Sequence, residues 1–297
     1  MFPKSLTVLS YAADTDISQL EEQLQAHRFT PCGELEVASQ GWSAPTEEGN
    51  LVHDALGTKV LRFTLEKKSL PASALAVKLS ARLAELAKAL GFPPGKKQRK
   101  EARERLIDEL LPRQLAARKD VPVLIDTKQC RVLVGSAVPG EVEAILASVF
   151  KHADIELRHV LAAGKRLTLL AKVALDDELI EPFTLDDRAS VRYPGEQGTQ
   201  KAYRKADLHS CGLVGDLTAN AAVTEVALTH DDRVSFILAE DGALKGIKPT
   251  DIYKEKAKDA ADFDASVVLA TLTLRGLIDD LASALEVKTE EEEESEE

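Results

Sequence analysis

A chain of 297 residues, 44% hydrophobic and 30% charged, has enough apolar material for one large or two medium domains. No apolar run approaches the roughly 18 residues that span a bilayer, Met1-Phe2-Pro3-Lys4 does not open a signal peptide, and Cys32, Cys130 and Cys211 suggest neither disulfides nor a zinc pattern. A cytoplasmic protein is expected, and the net charge of −12 argues against a nucleic-acid binder unless charge is segregated along the chain.

Leu6 to Tyr11 reads as a strand, and Ile17, Leu20 and Leu24 are spaced for the buried face of a helix ending near His27. The stretch Phe29-Thr30-Pro31-Cys32-Gly33 then bends the chain. Thr30 is pushed towards an extended conformation by the following proline, and Gly33 relieves the next turn. Beyond it a strand or loop carries Gly41-Trp42, the sole tryptophan. Val60 to Leu65 alternates as a half-exposed strand. Pro71 opens a helix with the apolar stripe Leu75, Leu79, Leu83, Leu86 and Leu90, and Gly91-Phe92-Pro93-Pro94-Gly95 breaks it. A second helix follows from about Lys97 to Leu111, with Ala102, Leu106 and Leu110 on one face. At 1.5 Å per residue each is roughly 22 to 30 Å long, which predicts a projecting helical hairpin, or arm.

Val121 to Ile125 and Arg131 to Val134 are expected to pair as a hairpin, and Gly140 to His152 to form a helix with Val142, Ile145, Leu146 and Val149 inward. From Leu175 to Gly215 the pattern is poor, and Tyr193 to Gly198 reads as an exposed loop. Thr224 to Leu228, Arg233 to Ala239 and Ala243 to Ile247 read as consecutive antiparallel strands, with Asp241-Gly242 at the second turn. Asp264 to Ala270 is read as a strand and Leu274 to Leu285 as a helix burying Leu274, Leu277, Ile278 and Leu281. Strands and helices mix without a βαβ rhythm, so the expected class is α+β with mixed antiparallel sheets. The expected divisions are an α+β part over 1–69, the basic helical arm over 70–118, an α+β remainder of a central and a second lobe over 119–287, and a disordered acidic tail over 288–297.

Charge is indeed segregated. Glu286 to Glu297 holds eight acids and one base, whereas Lys88 to Lys119 holds ten bases and four acids. The candidates for phosphate contact are Lys96, Lys97, Arg99, Lys100 and Arg103 at the arm's tip, with Lys78 and Arg82 one turn apart on its first helix. The plainer reading is a solvated face laced by Glu101–Arg105 and Glu109–Arg113 pairs, although Lys96 to Lys100 contains no acid. An aromatic content of 4% disfavours base stacking on single strands and favours backbone contact with duplex. The acidic tail reads as a solubilising terminus, or as a segment that competes with phosphates for the arm or recruits a basic partner.

Readings as an enzyme find little support. Gly91 to Lys97 imitates a phosphate loop, but it is one residue short, lacks the Ser or Thr that would hold magnesium, and carries two prolines that remove N–H donors. His209-Ser210-Cys211 is a weak metal pair, and no H-x3-H or HExxH spacing occurs. Asp186-Asp187 and Asp231-Asp232 are sequence neighbours that point to opposite faces of a strand, and the latter suits a turn. Neither catalysis nor a cofactor is expected.

The Phe29 to Gly33 stretch with Gly41-Trp42 resembles the N-terminal signature of the RdgC family of recombination-associated proteins. The resemblance recurs in order through Leu110-Leu111-Pro112-Arg113, Leu124-Ile125-Asp126-Thr127, Val226-Ala227-Leu228 with Arg233-Val234-Ser235-Phe236, Glu240 to Lys245, and Phe263-Asp264-Ala265. It implies a homodimer closed into a ring with a positively charged hole, binding double-stranded DNA without sequence preference and restraining RecA-driven strand exchange by occupying DNA. It thereby implies a nucleoid-associated protein that competes with RecA. By the same resemblance Arg113, Arg204 and Lys205 are DNA-contact residues, and the position of Leu115 is an intersubunit contact. The family carries an aromatic there, so an apolar contact survives in this chain and stacking does not. The rival expectation is an interaction or scaffold module of the same fold with little DNA affinity, which the overall acidity favours.

Overall fold

The structure, a computed structural model, describes residues 2–149, 157–161, 163–175, 182–195, 198–258, 260 and 262–286. Strand β1 (Thr7–Ser10) is followed by a short helix α1 (Leu20–Gln25), with Leu20 and Leu24 buried as their spacing requires. Strands β2 (Ala38–Ser43), β3 (His53–Ala55) and β4 (Thr58–Lys68) lead to helices α2 (Ala72–Leu90) and α3 (Lys96–Leu110) and a 3-10 turn at Leu111–Arg113. Next come β5 (Ala116–Asp126), β6 (Arg131–Val134), α4 (Pro139–Val149), β7 (Arg158–His159) and α5 (Arg166–Leu175). Strands β8 (Phe183–Arg192) and β9 (Gln200–Arg204), helix α6 (Leu213–Thr218), and strands β10 (Ala222–His230), β11 (Val234–Ala239) and β12 (Leu244–Pro249) follow. Helices α7 (Asp251–Lys258) and α8 (Phe263–Glu286) close the described chain. The mixed antiparallel sheets and helices are α+β, as expected. The acidic tail expected over 288–297 lies outside the described residues.

The chain divides into two units, one of Met1–Leu20, Val52–Leu61 and Pro122–Glu297, the other of Glu21–Leu51 and Arg62–Val121. The second unit is built on β2 paired with β4, Trp42 opposite Phe63. Both rings are buried and meet edge to face at 5.0 Å. The Phe29 to Gly33 bend is held against this pair. The His27 carbonyl accepts from the Trp42 N–H, and the Trp42 carbonyl accepts from the Phe29 N–H, each at 2.8 Å. Buried Lys68 donates to the Gly33 and Glu34 carbonyls at 2.6 and 3.0 Å, so its charge is solvated by the bend itself. The Cys32 N–H donates to Glu66 at 2.8 Å. Burial, followed by the hydrogen bond to Glu66, pushes the Cys32 thiol up.

The first unit holds the larger core. Strand β1 pairs antiparallel with β6 and β7, and the second half of β5 pairs with β6. A five-stranded sheet in the order β12-β11-β10-β8-β9 buries Val226, Leu228, Phe236 and Leu238 together with Leu274, Leu277, Ile278 and Leu281 of α8. Helix α8 is also tied by charge: Arg275 donates to both oxygens of buried Asp126 at 2.8 Å, and Arg131 meets Asp279 at 2.5 Å. Burial, with Cys130 and Asp126 adding, pushes the Tyr11 hydroxyl up to about 12.

The strand expected over 264–270 is instead the first two turns of α8. Val267, Ala270 and Leu274 recur every three to four residues and are buried, and Asp262 accepts from the Ala265 N–H at 2.8 Å to start the helix. A short apolar run does not distinguish the two periods. Strands β8 and β9 fill the stretch that read poorly. Leu185 pairs with Leu228 but Ala189 with Val226, so a bulge inserts two residues and destroys the alternation that reveals a strand.

Candidate nucleic-acid interface

Helices α2 and α3 belong to the second unit and touch each other. Their shared apolar side is thin: Leu75 and Leu106 are buried, Leu79, Leu83, Leu86, Ala102 and Leu110 half-buried, and Leu90 exposed. Gly91 ends α2 in the left-handed region at φ 78°, its N–H donating to the Ala87 carbonyl at 2.9 Å. Gly95 opens α3 without a side-chain cap, and its own N–H donates to Gln98 Oε1 at 2.9 Å. The first turn of α3 therefore offers free N–H groups at the positive end of the helix dipole, in the midst of Lys96, Lys97, Arg99 and Lys100.

The structure sorts the expected residues by face. At 3.6 residues per turn Lys96, Arg99, Lys100 and Arg103 fall within about 100° of arc, while Glu104, Asp108 and Glu101 lie on the adjoining flank together with Lys97. All of these side chains are exposed. Lys100, read as uncompensated, reaches Glu104 at 3.7 Å, an exposed i,i+4 pair worth a few tenths of a kcal/mol at most, about 0.3–0.5. Among the described residues the expected Glu101–Arg105 and Glu109–Arg113 pairs do not form. Arg99 Nε donates to the Pro94 carbonyl at 2.9 Å, which holds the loop to the helix.

Arg82 and Arg105 line a cleft of about 420 Å³ between the helices, shared with Glu85, Glu101 and Gln98. Lys78 is exposed one turn before Arg82. Arg113 is exposed in the 3-10 turn, and Leu115 just after it is 93% exposed. Arg118, by contrast, is occupied: it stacks over Phe29 at 5.0 Å and meets Asp120 at 3.3 Å.

Arg204 and Lys205 lie in the first unit, at the end of β9. Lys205 turns the chain at φ 52°. Lys201, on the same strand, is neutralised. It meets Asp216 at 2.9 Å and lies over the Tyr203 ring at 4.7 Å. Burial alone would raise the Asp216 carboxyl. Hydrogen bonds from Lys201, Tyr193 and Tyr203 overcome it and hold the group at about 2. The hydrogen bond with Asp216, then that with Tyr203, raises the Lys201 ammonium in turn.

Among the described residues no three His, Cys, Asp or Glu side chains are placed to hold a metal ion. His209 Nδ1 faces the Leu175 carbonyl at 3.2 Å, and the Cys211 thiol faces the Leu208 carbonyl at 3.7 Å. Asp231 and Asp232 occupy the positive-φ positions of the β10–β11 turn, closed by the Arg233 N–H to the His230 carbonyl at 2.8 Å. No described helix is long and apolar enough to cross a membrane.

The family model described as "Putative exonuclease, RdgC" matches residues 1–288. The chain is 30% identical over 293 residues to the recombination-associated protein RdgC of Cupriavidus necator, covering 96% of this chain and 98% of that one. It is 31% identical over 295 residues to its namesake in Herminiimonas arsenicoxydans, again covering 96% and 98%. To that of Burkholderia cenocepacia it is 31% identical over 273 residues, covering 90% and 89%. A match of this extent makes the chain a member of the RdgC family of recombination-associated proteins.

Proposed function

We propose that the protein binds double-stranded DNA without sequence preference, closes around it as a homodimeric ring, and limits RecA-dependent recombination by occupying the duplex. The observation that carries this reading is the exposed cationic face of α3. Lys96, Arg99, Lys100 and Arg103 share one side of the helix at its positive end, with Glu104 as their only acid within ion-pair distance among the described residues. Such a face contacts phosphates and reads no bases. Family membership supports a recombination role, and an aromatic content of 4% supports duplex over single strands.

In this reading α2 and α3 are an arm that reaches a second copy, and Leu115, 93% exposed, is its apolar contact. Arg113, Arg204 and Lys205 add phosphate contacts, and the protein is cytoplasmic and nucleoid-associated. Retention on covalently closed circular duplex, compared with the same DNA linearised and challenged with rising salt, tests it. Preferential survival on circles is expected. Equal loss from both would remove the ring.

A second reading, a scaffold of the same fold with little DNA affinity, is favoured by the net charge of −12. It would replace the first if no duplex bound at low salt. The family model's exonuclease description is tested separately by magnesium-dependent release of nucleotides from duplex ends, which we expect to be absent.

A further inference from the structure

Two arginines face each other on the outer side of the five-stranded sheet. Arg188 of β8 and Arg204 of β9 are partners in register, so both side chains leave the same face from Cα atoms about 4.5–5.5 Å apart. The next pair, Ala189 and Tyr203, is buried, which places the arginines on the solvent side, and both are exposed. Like charges directly opposite across a ladder destabilise it unless something neutralises them.

The other cations of these two strands are neutralised by acids. Arg192 forms a bidentate pair with Glu240 at 3.0 and 2.8 Å, and Lys201 meets Asp216 at 2.9 Å. Arg188 and Arg204 have no acid within ion-pair distance among the described residues. Of the nearby carboxylates, Glu225 meets Lys245 at 2.9 Å, and half-buried Asp186 accepts from the Thr229 hydroxyl at 3.0 Å, a bond that leaves its charge in place. Exposed Asp187, which precedes Arg188, forms no ion pair with it. Arg188 lies within the bulge between Leu185 and Ala189 and edges a depression of about 200 Å³ lined by Ala227, Ile237 and Lys248 and by the carboxylates of Asp186 and Asp187. Lys205, in its left-handed turn, follows Arg204 directly.

We infer that Arg188 and Arg204 form one clamp of two guanidinium groups for a phosphodiester of the nucleic-acid backbone, with Arg188 completing a site that Arg204 alone does not make. Two planar forks offer converging N–H donors to the oxygens of a tetrahedral anion, and the bound anion removes the repulsion between them. That the anion is a phosphodiester rests on the duplex-binding reading above, whereas the presence of an anion clamp does not.

The test compares the full chain with R188A, R204A and the double variant, melted in chloride and in inorganic phosphate at equal ionic strength, alongside duplex affinity against salt. In chloride R188A should melt no lower than wild type, because a repulsion has been removed. Phosphate should raise the wild-type midpoint more than that of R188A, R204A or the double variant, which should all have lost the same shift. In the duplex titration R188A should reduce the log–log salt slope by about 0.9, one phosphate, and the double variant no further. Equal phosphate responses in wild type and R188A would overturn the clamp. A phosphate response lost in R188A with an unchanged duplex slope would keep the clamp and overturn its assignment to the DNA backbone. Absence of any duplex binding would remove the functional reading, while the phosphate shift would still decide whether the clamp exists.

Discussion

A Cβ built on Gly41 would stand 2.7 Å from the His27 carbonyl oxygen and from the Phe29 N and Cα, so the backbone of the bend occupies the space a side chain needs. Gly41→Ala should therefore cost about 1–3 kcal/mol, read as a lower denaturant midpoint with an unchanged slope. Asp216 makes a second prediction, with a defined sign. Its carboxyl is held at about 2, below the usual 3.8, so the stability it contributes is present above the higher value and fades as pH falls towards the lower. Asp216→Asn should flatten the acid limb of stability between about pH 4 and pH 2 and leave neutral-pH melting less affected. It should also release Lys201 for anions, visible as a steeper dependence of duplex affinity on salt.

At the scale of elements, the sorting of charge on α3 is directly testable. Replacing Lys96, Arg99, Lys100 and Arg103 together by Ala should remove most duplex affinity and lower the salt slope by about 0.9 for each phosphate lost. Lys97→Ala, on the flank shared with Glu101 and Glu104, should change the slope less. Near-normal binding by the fourfold variant would move the interface elsewhere. Helix α8 makes the stability counterpart: Arg275→Ala leaves Asp126, 1% exposed, without its bidentate partner and should cost about 3–5 kcal/mol. How legible each element was follows from how local its signal is. Helix α2 could be read because leucines recur every three to four residues between Pro71 and Gly91, and α3 because Ala102, Leu106 and Leu110 are spaced four apart beyond Gly95. The basic cluster was legible as composition. Its division into a cationic face and a cleft-lining pair, Arg82 with Arg105, needed the packing of one helix on the other. Strand β8 was illegible because its bulge breaks the period of two. The partnership of Arg188 with Arg204 depends on a strand register that no local pattern encodes.

For the whole molecule the governing quantity is the distribution of charge. Removing residues 288–297 takes away seven acids and one base, changing the net charge from −12 to −6. If that segment competes with phosphates, the shortened chain should bind duplex more tightly at low salt, with the difference vanishing as salt rises. Unchanged affinity would leave the segment a solubilising terminus. The course of the chain has a further consequence. The backbone passes between the two units four times, at residues 20–21, 51–52, 61–62 and 121–122, with β4 and β5 each contributing to both. Neither unit is a contiguous length of polypeptide, so no single cut releases one intact, and a ribosome finishes the smaller before most of the larger has been made. Changes of reach or charge in such a protein are most easily accommodated as insertions between Lys68 and Ala116, which lengthen or recharge the helical pair and leave the interleaved strands untouched.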